Sequence, residues 1–256
     1  MAVLWDVNVH PRSVEMGSFM GHEKVFRPPI KAILFDLDGT LVETDNRWAA
    51  IFSRGLKPLR YLFPDLDTDR RGRRLMMAVE NPLTYVLSLL ERAGVGGSFF
   101  GLANLVRRSK GLATQGNSLM VEGTEELFTA LKDRYILGVV TTRARPEAHD
   151  FLRRMQYEDL FSVVITRQDV FRLKPHPAPV RKAIDRLGVS PQHCIMVGDT
   201  ALDVRSARRA GAYAVGVLSG FDHRYELERA GAHLILERAV QLLDYLPPQK
   251  EPQRDT

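Results

Sequence analysis

Four short apolar runs in this chain of 256 residues each lead into polar groups with chemical potential. KAILFDLDGTLVETD, Lys31 to Asp45, places Asp36 and Asp38 two positions apart, just ahead of Gly39. YILGVVT ends in Thr141 and Thr142, FSVVIT leads to Lys174 in LKPHP, and HCIMVGD ends in Asp199, with Asp203 a helical turn beyond. Carboxylates crowded together repel and raise one another's pKa values unless a cation sits among them. An all-oxygen set, with neither Cys nor paired His, favours Mg²⁺ over Zn²⁺ or copper. Mg²⁺ and Lys174 together would neutralise the acids and attract a phosphate dianion. Hydroxyl and backbone N–H groups around Gly39, Thr141 and Thr142 are candidates to hold its oxygens, alongside Lys174. A carboxylate aimed at phosphorus is a nucleophile able to form an aspartyl-phosphate. A second acid two residues on can give a proton to the leaving oxygen and later take one from water. Two acids are useful where one would not be.

These groups can act together only if the elements before them are neighbouring strands. KAILFD, rich in β-branched and aromatic residues and followed by a turn glycine, reads as a buried strand. Beyond residue 116 the chain alternates strictly. Helices are expected near 123–133, from Pro146, near 177–187 and near 201–210, with strands at YILGVVT, FSVVIT, HCIMVGD, AYAVGV and HLIL, a short helix between the last two strands, and a last helix after them. Alternation of this kind predicts an α/β fold, a parallel sheet covered by helices on both faces. In a doubly wound sheet ligands sit beyond the carboxyl ends of the strands, where all four polar clusters fall.

Between Asp45 and Gly116, RWAAIFSRGLKPLRYLF, NPLTYVLSLLERAG and SFFGLANLVRRSKGLA repeat apolar residues at three- and four-residue spacings with no strand-like run. The predicted organisation is an N-terminal extension at 1–30, a core of 31–44 and 117–246, a helical insertion at 45–116, and a flexible tail at 247–256. The expected hinges are Val42 to Asp45 and Gly116 to Val121.

Composition narrows the function classes. Apolar residues make up 45% and charged residues 26%, ordinary values for a folded soluble protein. The excess of 36 basic over 31 acidic residues suits an anionic partner without specifying one. A single cysteine, Cys194, excludes an intramolecular disulfide and any multi-cysteine metal site, and it fits a reducing cytoplasm. No apolar run approaches a membrane span, and MAVLWDVNVH lacks the pattern of a secretory signal. The expectations are a cytoplasmic protein with no membrane or nucleic-acid partner, acting on a small phosphorylated metabolite as a monomer or homodimer.

Each singled-out residue also has a structural reading. Thr141 and Thr142 could cap the next helix, Lys174 could be a surface lysine, and Asp203 could complement a helix dipole. Cys194, in an apolar run, reads as a small buried hydrophobe. The basic runs DRRGRR (Asp69 to Arg74) and LVRRSKG (Leu105 to Gly111) read as solvated helix faces, or as a source of arginines that fork onto a substrate anion. They lack the interleaved aromatics of a nucleic-acid surface. GVGGSF lacks the third glycine and the preceding strand of a dinucleotide fingerprint.

Taken together, DLDGTLVET, VVTT, LKPHP and VGDTALD resemble, in order, the four motifs of the haloacid dehalogenase-like superfamily, and the resemblance spans nearly all of 31–246. The resemblance implies a Rossmann-like core with a small α-helical cap, the motif one and motif four strands lying side by side. It implies Asp36 as nucleophile, Asp38 as general acid and base, Thr141 on the phosphate, and Lys174 steadying both nucleophile and phosphate. It also implies Mg²⁺ on the Asp36 carboxylate, the Asp38 carbonyl and Asp199, with Asp203 in support through water or Lys174. The ending GVLSGFDHRYELERAGAHLIL is similar to the phosphoglycolate-phosphatase-like subgroup. In the family, dehalogenases and phosphonatases lack the second acid, so Asp38 implies phosphate esters. Mutases of the β-phosphoglucomutase type commonly carry a His soon after the first motif, and TDNRWAAIFSR has none. Phosphomonoester hydrolysis is therefore expected. The alternatives are a sugar phosphomutase and a catalytically weak binding or regulatory protein.

Overall fold

The computed structural model describes residues 26, 27, 29–43 and 119–247. The expected cap at 45–116, with its two basic runs, lies outside the described residues, as does nearly all of the expected tail. A six-stranded, all-parallel sheet runs in the order β3-β2-β1-β4-β5-β6. Its strands are β1 (Ala32–Phe35), β2 (Ile136–Val140), β3 (Val163–Ile165), β4 (Cys194–Gly198), β5 (Tyr213–Val217) and β6 (Leu234–Leu236). Helices α1 (Thr124–Leu131), α2 (Arg145–Arg154), α3 (Ala178–Leu187), α4 (Ala201–Ala210) and α5 (Arg224–Ala230) alternate with them. The expected last helix is instead a 3-10 segment, Ala239–Tyr245.

The sheet is buried on both faces, which is why its strands read as continuous apolar runs. Side chains alternate across it with a period of two. Ile33, Phe35, Ile195 and Val197 join Leu127, Phe128 and Phe151 in one core, while Ala32, Leu34, Cys194 and Met196 join Val180, Ile184, Val204 and Ala207 in the other. Cys194 is the buried hydrophobe its context suggested, its thiol pushed up to about 12 by burial. Near the end of the expected extension, Phe26 is buried and meets Tyr213 edge to face.

Register brings the site together. β1 lies between β2 and β4, with Phe35 level with both Val139 and Val197. The sheet order reverses direction at this place, the position where such folds bind ligands. The chain leaves the core and returns beside its own exit: Glu43 N–H donates to the Leu119 carbonyl at 2.9 Å and Val121 N–H to that of Leu41 at 3.0 Å. The described parts of both expected hinges are therefore paired.

Candidate active site

Asp36 follows the last residue of β1, and its N–H continues the ladder to the Val197 carbonyl at 2.9 Å. Its side chain is held by Lys174, whose Nζ donates to Asp36 Oδ1 at 2.7 Å and to the Val140 carbonyl at 2.7 Å, and meets Asp203 Oδ1 at 2.5 Å. Lys174 is buried among these groups. Burial alone would lower its pKa, but the Asp203 and Asp36 charges outweigh it and the net direction is upward, so the amine stays charged. Burial, opposed by Lys174, pushes Asp36 up to about 7, with the Asp203 and Asp38 charges adding to the rise.

Asp199 follows β4 and is enclosed by the loop after β5. Phe221 N–H donates to its Oδ2 at 2.8 Å, and Ser219 Oγ ties the loop to the Gly39 carbonyl at 2.7 Å. Gly39, at φ +80°, and Gly220 have no room for a side chain: a Cβ there would stand 2.2 Å and 2.1 Å from Asp199 Oδ2. Gly39 thus serves close approach to Asp199. Its amide is taken by the Val42 carbonyl at 2.8 Å, so the expected anion cradle cannot draw on that N–H.

Asp203 does two jobs. In the first turn of α4 its Oδ2 accepts from the Thr200 hydroxyl at 2.5 Å and the Thr200 N–H at 3.1 Å, while Thr200 caps the helix, and its Oδ1 faces Lys174. One carboxylate thus both holds the Thr200 cap and faces Lys174.

One oxygen from each of Asp36, Asp199 and Asp203 lies within 4.8 Å of the others. Asp199 Oδ1 is buried with no hydrogen-bond partner among the described residues. Burial and the neighbouring acids Asp203 and Asp36 push the Asp199 carboxyl well above the carboxylate range. A cation would satisfy the orphaned oxygen and relieve the repulsion. The residues therefore fit a hard divalent metal.

Thr141 is buried beside this cluster. Its N–H donates to the Ile165 carbonyl at 2.8 Å, and its Oγ1 accepts from the Arg143 N–H at 3.1 Å. Thr142 is exposed. Neither the Thr141 nor the Arg143 amide is therefore free to meet an anion. Asp38 stands apart from the three-acid cluster, its carboxylate held by Arg143: Nε donates to Oδ2 at 2.8 Å and Nη2 donates to Oδ1.

Sequence reasoning missed two residues. Arg143, one of two arginines in TTRARPE, lies two residues after Thr141 on the same rim. Asp222, buried behind Asp199, accepts from the Ala201 N–H at 2.7 Å and so fixes the start of α4. Nothing in its local sequence marks that role.

With this geometry in place, similarity to known proteins decides the family. The family model for haloacid dehalogenase-like hydrolases matches residues 33–217. This chain belongs to that family. It is an enzyme, a hydrolase. The pyrophosphatase PpaX of Bacillus cereus (strain AH820) is 28% identical over 221 residues, covering 85% of this chain and 96% of the relative. A hydrolase of known structure from Pseudomonas syringae is 25% identical, with a TM-score of 0.59, covering 84% of this chain and 97% of that one. A predicted phosphoglycolate phosphatase from Haemophilus somnus 129PT shares the fold at 23% identity and a TM-score of 0.58, covering 84% and 97%. The expected family and α/β fold are thereby shown, and no helix among the described residues is long and apolar enough to cross a membrane.

Proposed function

We propose that this hydrolase cleaves small phosphomonoesters, phosphoglycolate-like or sugar phosphates, through a phosphorylated Asp36, with Mg²⁺ as its metal. The observation that carries the reading is Asp38, an acid two residues beyond Asp36 and outside the metal cluster. A nucleophile alone would serve any phosphoryl or halide substrate, whereas an acid on the same rim serves a leaving oxygen that must be protonated. The pyrophosphatase name of the 28% identical relative supports hydrolysis of a phosphoryl group.

In the first step an Asp36 carboxylate oxygen bonds to phosphorus, the bond to the leaving oxygen breaks, and that oxygen takes the proton of Asp38. Lys174 keeps Asp36 oriented and lowers the cost of its negative charge. In the second step Asp38 takes a proton from water, the water oxygen bonds to phosphorus, and the Asp36–phosphorus bond breaks to give inorganic phosphate and free Asp36. Asp36, Asp199 and the Asp38 carbonyl would hold Mg²⁺, supported by Asp203, and the bound ion would stabilise charge on the transferring phosphoryl group. Thr141 and Thr142, with Lys174, are proposed to line the phosphate. The helical block at 45–116 is proposed as the cap that excludes water from the first step and admits it for the second.

A panel of phosphorylated metabolites, with pyrophosphate included, tests the reading with Mg²⁺ present. Release of inorganic phosphate from monoesters is expected. Isomerised sugar phosphates without free phosphate would replace hydrolysis with mutase chemistry, and preferential cleavage of pyrophosphate would replace the monoester class.

A further inference from the structure

Arg143 is built as a rigid bracket. Its side chain is only 10% accessible, and its guanidinium carbon lies 4.9 Å from the centroid of the core ring of Phe151. Its backbone is fixed at both ends, the N–H on Thr141 Oγ1 at 3.1 Å and the carbonyl accepting from Arg167 N–H at 3.2 Å. Removing a guanidinium from water costs several kcal/mol; among the described residues its Nε and Nη2 donate to Asp38, while Nη1 is buried with no hydrogen-bond partner. Asp38 itself sits in a turn with its side chain 25% accessible, where an unaided carboxylate has several rotamers open to it. A planar two-pronged contact fixes both side-chain torsions of an aspartate at once, which a single-point donor cannot do.

We propose that Arg143 is a positioning residue for the proton-transferring acid, a role that rests on the reading of Asp38 given above. It holds the Asp38 carboxyl beside Asp36 in the orientation that faces the leaving oxygen. Its contribution to the first step is therefore confined to substrates whose leaving group needs a proton. An alkyl phosphate expels a strongly basic alkoxide and takes the proton as the ester bond breaks, whereas p-nitrophenolate is weakly basic and departs without one. Arg143 in this way tunes the enzyme toward alkyl over activated esters.

The test compares kcat/KM, which reports the half-reaction up to leaving-group departure, for an alkyl phosphate from the panel and for p-nitrophenyl phosphate. Arg143→Gln is expected to lower the alkyl value by about 10²-fold, the scale of a misplaced or lost general acid, while the aryl value falls less than about 5-fold. The inhibition constant of inorganic phosphate is expected to stay unchanged. Asp38→Asn should show the same selectivity loss, and the double variant should fall no further than Asp38→Asn alone. Arg143→Lys keeps the stem over Phe151 and the charge but not the fork, so it should resemble Arg143→Gln in selectivity and gives the same readout should the glutamine variant fold poorly. Equal losses on both substrates, a weakened phosphate inhibition, full rescue by lysine, or multiplicative losses in the double variant would each overturn the proposal. An Asp36→Asn control that retained turnover would instead overturn the underlying reading of the site.

Discussion

Lys174→Met tests the electrostatic core of the site. The substitution keeps much of the stem and removes the cation that bridges Asp36 at 2.7 Å and Asp203 at 2.5 Å. Breaking a buried ion pair by deleting one partner costs about 3–5 kcal/mol, because the other charge stays buried without compensation. For a protein of this size each kcal/mol moves the melting temperature by roughly 2–4 °C, so a drop of roughly 6–20 °C is expected in EDTA at pH 8. The loss should shrink at pH 5. Asp36, held near 7, enters the fold largely neutral there, and a neutral carboxyl needs no counter-charge. Differential scanning calorimetry of both proteins at the two pH values checks this. A melting temperature within 2 °C of the parent at pH 8, or a loss that does not depend on pH, would refute the reasoning, since either result means Lys174 is not the group that makes these acids tolerable.

Chelation by EDTA should silence phosphate release and added Mg²⁺ should restore it, as followed by a malachite green assay. Without metal, the pKa of Asp36 is higher in the fold than in the unfolded chain, so the folded state binds more protons between about pH 4 and 7 and stability falls as pH rises through that window. The Mg²⁺-induced rise in melting temperature should accordingly be larger at pH 8 than at pH 5, because protons compete with the ion for Asp36 and Asp199. Gly220→Ala would set a Cβ 2.1 Å from Asp199 Oδ2, so it should reduce Mg²⁺ affinity and kcat/KM by more than about 10-fold, measured by metal titration of activity.

Much of the site was legible because Asp36 and Asp199 each follow a short apolar run that reads as a buried strand. Asp36, Asp199 and Lys174 converge once β1 is placed between β2 and β4; alternation of strands and helices implied the parallel sheet, and the family resemblance implied that the β1 and β4 strands lie side by side. What escaped was set by side-chain reach. Arg143 crosses from beyond the end of β2 to an aspartate 105 positions away, and Asp222, in the loop after β5, reaches back to the Ala201 N–H beside Asp199. Neither contact has a sequence period. The amides expected to cradle phosphate were assigned by position, but those of Gly39 and Thr141 are taken by carbonyls that only the folded turn and the β3 edge bring near. The 3-10 ending was read as a helix because its apolar residues, Ala239, Leu242 and Leu246, recur at three- and four-residue spacing in either case.

The central claim is that Asp36 is the nucleophile, and turnover of p-nitrophenyl phosphate by Asp36→Asn with Mg²⁺ present tests it most directly. An amide of nearly the same shape preserves the packing but cannot attack phosphorus, so the account predicts a correctly folded protein with no detectable turnover. Near-parental activity in that folded variant would contradict it.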